Sequence, residues 1–186
     1  MSKVIAITGH RPDDFLKSHY TLESAKTNIE DIIVALKRQY GEVSFNVGGA
    51  LGVDQWAADA CIKHGIPYHL YLPFMPKIQT KYWKKEDKDC LNEQIKNAKS
   101  LTICDPSGIT YDEKYKFAEK YQDRNEAMVD NCNIVVAFWL GKRRGGTYNC
   151  IKYALKQSKQ AFNGLDGLNI ICEQNLKEGW TPQKGE

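Results

Sequence analysis

The chain has 186 residues, of which 42% are hydrophobic and 26% charged, and a formal net charge of +3 at pH 7; this suits one globular domain with a sizeable core. No apolar run reaches the roughly 20 residues of a membrane span, so no membrane partner is expected. Met1-Ser2-Lys3 leads straight into an apolar run without a signal-peptide pattern, so a cytoplasmic protein is expected.

In chain order, β-branched apolar runs alternate with helical periodicity. A first strand is expected at 3–8, where Val4-Ile5-Ala6-Ile7 runs into Thr8-Gly9-His10-Arg11-Pro12. A helix follows over 21–40, with Ile29, Ile32, Ile33 and Leu36 forming a stripe toward the sheet, Thr21 and Ser24 able to cap its start, and Gly41 marking its end. The second strand, 43–47, runs into Gly48-Gly49-Ala50-Leu51-Gly52 and a helix at 53–64. A strand at 67–72 is stopped by Pro73 and Pro76, a charged helix is expected over 86–98, and a strand at 100–104 opens into Asp105-Pro106-Ser107-Gly108. These last two strand exits are candidate walls or a lid for a site. A helix over 114–131 precedes a strand at 133–139, the loop Gly141–Thr147, a helix at 147–158 and a strand at 168–172. The polar tail after Cys172, through Thr181 to Glu186, is expected to be an edge or a frayed terminus. Strand and helix alternating in this way predict an α/β fold with a doubly wound, mainly parallel sheet flanked by helices, and one domain over 1–186.

Three glycine-rich loops each follow a strand, at 8–11, 48–52 and 141–147. In a parallel sheet the carboxyl ends of the strands share one edge, where ligands bind. Glycine admits close backbone approach, and the next helix offers unpaired N–H groups to an anion. The spacing at Gly48–Gly52 is not the G-x-G-x-x-G dinucleotide fingerprint. Asp54, in the first turn of the following helix, is suited to capping or to accepting from a ribose hydroxyl. Arg11 suits bidentate phosphate contact, and His10 has proton-transfer chemistry near neutral pH. Lys142-Arg143-Arg144 places cations between two glycine positions, and Thr147 can cap the next helix. Trp56 and Phe74 are candidates for stacking on a base. The six cysteines are scattered without a C-x-x-C pair, so neither a metal site nor a disulfide framework is expected. No cofactor is called for, and the mild charge accommodates an anion without favouring nucleic acid.

The runs Ile7-Thr8-Gly9-His10-Arg11-Pro12, Gly48-Gly49-Ala50-Leu51-Gly52-Val53-Asp54-Gln55-Trp56-Ala57-Ala58, Arg124-Asn125 with Met128-Val129-Asp130, and Gly145-Gly146-Thr147-Tyr148-Asn149 together resemble the SLOG superfamily, most closely its YpsA-like branch, over about 3–157. The resemblance implies a Rossmann-like fold that binds nucleotides, nucleotide sugars or ligands derived from NAD or ADP-ribose, and it suggests a homodimer. The superfamily includes the LOG phosphoribohydrolases and the DprA-type single-stranded-DNA binders. LOG enzymes pair an arginine, which Arg124 resembles, with a glutamate just after a Gly-Thr. Here that position is Asn149, and an amide supplies neither a carboxylate's charge nor a general base. The leading expectation is therefore a nucleotide sensor or binder, held by Thr8, Gly9, His10, Arg11, Gly48, Gly49, Leu51, Gly52, Asp54, Arg124, Asn125, Gly145, Gly146, Thr147 and Asn149. The alternative is an N-glycosidase of nucleoside 5′-monophosphates using Arg124 with Asp54 or Asp130. Single-stranded nucleic-acid binding is the third reading.

Overall fold

A computed structural model describes residues 2–180. Its sheet is built from seven strands: β1 (Lys3–Gly9), β2 (Val43–Val47), β3 (Tyr68–Phe74), β4 (Ser100–Asp105), β5 (Ile134–Phe138), β6 (Gln160–Asn163) and β7 (Asn169–Ile171). Their order is β4-β3-β2-β1-β5-β6-β7, all parallel except the antiparallel β6–β7 pair. The chain leaves β1 toward β4, then returns across the sheet to place β5 on the other side of β1. The strand order therefore reverses between β1 and β5, and this is where open α/β sheets bind ligands.

The adjacent strands β1 and β5 are rich in apolar residues because both of their faces are covered. Ile5, Ile7, Val136 and Phe138 point into one core layer, while Ala6, Val135 and Ala137 point into the other. The first layer is closed by α2 (Leu22–Tyr40), α3 (Val53–Lys63) and α5 (Lys85–Asn97), the second by α6 (Phe117–Asp130) and α7 (Gly146–Lys156). The α2 stripe buries Ile29, Ile33 and Leu36, as its periodicity requires. The helix begins with a reciprocal cap: Ser24 N–H donates to Thr21 Oγ1 and Thr21 N–H to Ser24 Oγ, each at 3.0 Å. Ser44 and Asn46 are buried polar residues of β2. The Asn46 Nδ2 donates to the carbonyls of Met128 and Asn131, both at 3.1 Å, so its burial ends α6 with satisfied groups.

Several elements depart from the sequence expectation. Pro12 and Pro76 each occupy a first helical position, opening the short helices α1 (Pro12–Leu16) and α4 (Pro76–Gln79) inside segments expected to be loop. A 3-10 turn over Tyr111–Lys116 precedes α6. The strand β6 was not expected. It carries Asn163, fully buried, whose side chain accepts from Trp139 N–H (3.3 Å) and donates to the Trp139 carbonyl (2.9 Å). The tail after Cys172 is neither an edge nor frayed at its start, for it forms α8 (Glu173–Glu178). Residues 181–186 of that expected terminus lie outside the described residues. No helix among the described residues is long and apolar enough to cross a membrane.

Candidate functional site

A cleft of about 730 Å³ opens at the carboxyl edge of the sheet, over the β1–β5 reversal. The loops after β1, β2 and β5 meet there: Thr8 to Arg11, Ala50-Leu51 with Asp54, and Arg144 to Thr147 with Asn149 all line it, and α6 closes the far side. Five cationic side chains (Arg11, Lys17, Arg124, Lys142, Arg144) face it against two carboxylates (Asp14, Asp54). The predominance of positive charge in a concave wall favours an anionic ligand.

The second glycine loop is shaped by contact with its neighbours. Gly52 has φ +91°, and a Cβ there would stand 2.5 Å from the His10 carbonyl oxygen, so only glycine lets this loop lie against the first. The Val53 N–H closes the junction by donating to that same carbonyl at 3.2 Å. Gly48 has Arg124 directly above it. The guanidinium Nη1 donates to the Gly48 carbonyl and lies 3.6 Å from Asp54 Oδ2. A side chain at Gly48 would displace that guanidinium. Gly48, Gly49 and Gly52 thus shape the wall from behind and do not line the cleft.

Arg124 and Asp54 form a buried pair. Asp54 Oδ2 also accepts the Ala50 N–H at 3.2 Å, so the carboxylate caps its own loop. Burial pushes the Asp54 carboxyl above the usual range, while Arg124, the backbone N–H groups of Ala50 and Gly48, and Arg11 pull the other way. Arg124 Nε donates to Asn125 Oδ1 at 3.0 Å, and Asn125 Nδ2 reaches the Gly146 carbonyl at 3.4 Å. Two adjacent residues of α6 thereby brace the second and third glycine loops together.

His10 is 6% exposed and its Nε2 accepts the Leu140 N–H at 3.0 Å. That bond fixes the tautomer, with the proton on Nδ1 facing Asp14 Oδ2 at 3.6 Å. Burial lowers its pKa to about 4, Asp14 opposing and Lys142 adding to the effect. His10 is thus neutral at pH 7 and ties the first loop to the third. The cationic run divides by geometry. Lys142 pairs with Asp14, Arg143 turns away to the Lys177 carbonyl of α8, and Arg144 remains exposed on the cleft with no ion pair among the described residues. Gly145 is the N-cap of α7, and no side chain caps this helix. Thr147 is buried inside the first turn and does not cap it.

Three sequence candidates lie elsewhere. Phe74 is fully buried beneath Phe117 and Tyr121, with ring centroids at 4.7 and 5.7 Å. Trp56 packs on Phe15 (5.7 Å) and under Lys26 Nζ (5.6 Å), outside the cleft. Asp130 is exposed and accepts from the Tyr153 hydroxyl at 2.9 Å, also outside it. The aromatic wall is instead Phe117 and Tyr121 of α6. Tyr121 carries two guanidinium groups, Arg11 at 5.6 Å and Arg124 at 5.5 Å from the ring centroid. Sequence reasoning missed this wall, although Phe117, Tyr121, Arg124 and Asn125 fall at i, i+4, i+7 and i+8, which is one helical face. Burial pushes the thiols of Cys61 and Cys150 up to about 12, so both act as core residues.

The YspA SLOG family model matches residues 5–169. An uncharacterized SPbeta prophage-derived protein, YoqJ of Bacillus subtilis, is 33% identical over 149 residues, covering 73% of this chain and 83% of that one. Among solved structures, DNA processing protein A (DprA) from Streptococcus pneumoniae superposes with a TM-score of 0.66 at 18% identity, over 87% of this chain. DprA from Helicobacter pylori, described for its single-stranded-DNA binding mode, does so with a TM-score of 0.56 at 17% identity over 87%. The chain spans only 50% and 64% of those two proteins, and the likeness is one of fold.

Proposed function

The chain belongs to the YspA SLOG family, and from that premise we propose that it is a cytoplasmic binder or sensor of a nucleotide or an ADP-ribose-like ligand. The observation that carries the reading is the start of α7, which opens into the cleft at Gly145-Gly146 without a side-chain cap, beside the unpaired Arg144. First-turn N–H groups and the helix dipole favour a phosphate there. Arg144 and Arg11 add charge-assisted hydrogen bonds. Phe117 and Tyr121 border the space a base or ribose would take, while Asn149 and Asp54, which also line the cleft, suit hydroxyl groups. A cleft of this volume matches a ligand of nucleotide size.

A second reading rests on Asp54 beside Arg124. Asp54 lines the cleft within 3.6 Å of the Arg124 guanidinium, so a carboxylate and a cation stand together where an N-glycosidase of nucleoside 5′-monophosphates would need them. Asp130, the other carboxylate suggested by the sequence, does not line the cleft, so Asp54 is the one this reading uses. The test is a thermal-shift panel of AMP, ADP-ribose, NAD and adenosine, with chromatography of each mixture for free base. A raised melting temperature with phosphorylated ligands and no base release supports the binder. Steady base release supports the hydrolase. No shift with any phosphorylated member contradicts both. A single-stranded oligonucleotide whose affinity falls steeply with salt would point to the ligand class named for the Helicobacter pylori DprA.

A further inference from the structure

The aromatic wall continues outward past the cleft. Phe117 lines the cleft, and its ring centroid is 5.6 Å from that of Tyr111 in the 3-10 turn. Tyr111 in turn meets Tyr82 edge to face at 4.8 Å. Tyr82 is 70% exposed, so its ring gains little from the fold. Lys81 Nζ lies 4.6 Å from the Tyr111 centroid and 5.4 Å from that of Tyr82, and Lys81 forms no ion pair among the described residues. An exposed ring with an unpaired ammonium across it matches the two parts of a nucleotide, a planar base and the phosphate attached to it. Rings linked edge to face from the cleft outward connect this patch to the anion site.

We infer that Tyr82, Tyr111 and Lys81 form an outer subsite for a second aromatic ring, and that the ligand is of the two-ring, phosphate-linked class. The inference rests on the cleft holding the ligand's phosphate. Phe117 and Tyr121 serve the inner part of the ligand, Tyr82 stacks the outer ring, and Lys81 faces the linking phosphate.

Isothermal titration with AMP, NAD and the dinucleotide pApA tests it, using the full chain and its Tyr82→Ala, Tyr82→Phe and Lys81→Ala variants. At least one two-ring ligand should bind about fivefold or more tightly than AMP, the scale of one base stacked on an aromatic side chain. Tyr82→Ala should erase that advantage and leave AMP unchanged, Tyr82→Phe should keep it, and Lys81→Ala should reduce it. The NAD and pApA arms separate a pyrophosphate link from a phosphodiester one. Equal affinity for AMP and both two-ring ligands overturns the subsite, as does a Tyr82→Ala loss shared equally by AMP. Affinity that keeps rising from pApA to a tetranucleotide replaces it with a strand-binding surface. If AMP binds nowhere, the cleft reading fails and the subsite with it.

Discussion

Acidification should weaken the fold through His10, and the size of the effect follows from where that ring sits. In the folded protein its Nε2 must stay unprotonated to accept the Leu140 N–H, and burial holds its pKa at about 4 against an ordinary 6.5. The unfolded chain therefore takes up the proton first. The stability contributed by neutral His10 is fully present above pH 6.5 and is lost as the pH falls toward 4. One pKa unit corresponds to about 1.4 kcal/mol, so lowering the pH from 7 to 5 should cost about 2 kcal/mol from this residue alone, of roughly 3 kcal/mol in the full window. His10→Gln keeps an acceptor for Leu140 N–H and does not titrate. Urea denaturation of both proteins at pH 7 and pH 5 isolates the effect, because most carboxylates remain ionised at both. The wild type should lose about 2 kcal/mol more than His10→Gln between the two pH values. Equal losses would refute the assignment of a buried, neutral His10.

Arg124→Met leaves Asp54 buried without its partner and withdraws donors from the Gly48 carbonyl and Asn125, so it should cost about 3–5 kcal/mol in urea melts at pH 7. Adding Asp54→Asn should recover part of that loss, and no recovery would mean that the pair is not coupled. Arg11→Ala should weaken a phosphorylated ligand by about 1.5–3 kcal/mol in titration calorimetry while sparing adenosine; equal losses would assign Arg11 to the base or the fold. The wild type should hold AMP overnight without releasing adenine, because Asn149 supplies no carboxylate. Base release unaffected by Asn149→Ala but lost in Asp54→Ala would transfer the role of acid to Asp54.

Strands β1 and β5 were legible because strands buried on both faces are written as apolar runs, β2 because Val43, Phe45 and Val47 alternate ahead of a glycine cluster, and the loops after them because glycine marks the close approach of backbones. The strand β6 was not, since Gln160-Ala161-Phe162-Asn163 is short and its buried asparagine gives no apolar signal. Only the tertiary structure supplies the Trp139 backbone that satisfies it. The helices α1 and α4 carried a usable signal, proline at the first helical position, which their loop-like surroundings concealed. At the site, residues tied to the glycine loops could be placed from sequence, because each loop must leave the same sheet edge. Aromatic partners could not. Whether Phe74 or Tyr121 faces the cleft depends on how α6 lies across β3, and α6 covers Phe74 with its own Phe117. Charge was ambiguous for a similar reason: Lys142, Arg143 and Arg144 are adjacent in sequence, yet Lys142 lines the cleft paired with Asp14, Arg143 turns to α8, and Arg144 lines the cleft without an ion pair among the described residues.

The central claim is that a ligand's phosphate docks on the first turn of α7, and backbone amide spectra of ¹⁵N-labelled protein test it most directly. On titration with AMP, the N–H resonances of Gly146 and Thr147 should show the largest perturbations, and adenosine at the same concentration should leave them nearly unmoved. Perturbations centred on Trp56 and α3, or equal responses at Gly146 to AMP and adenosine, would contradict the account.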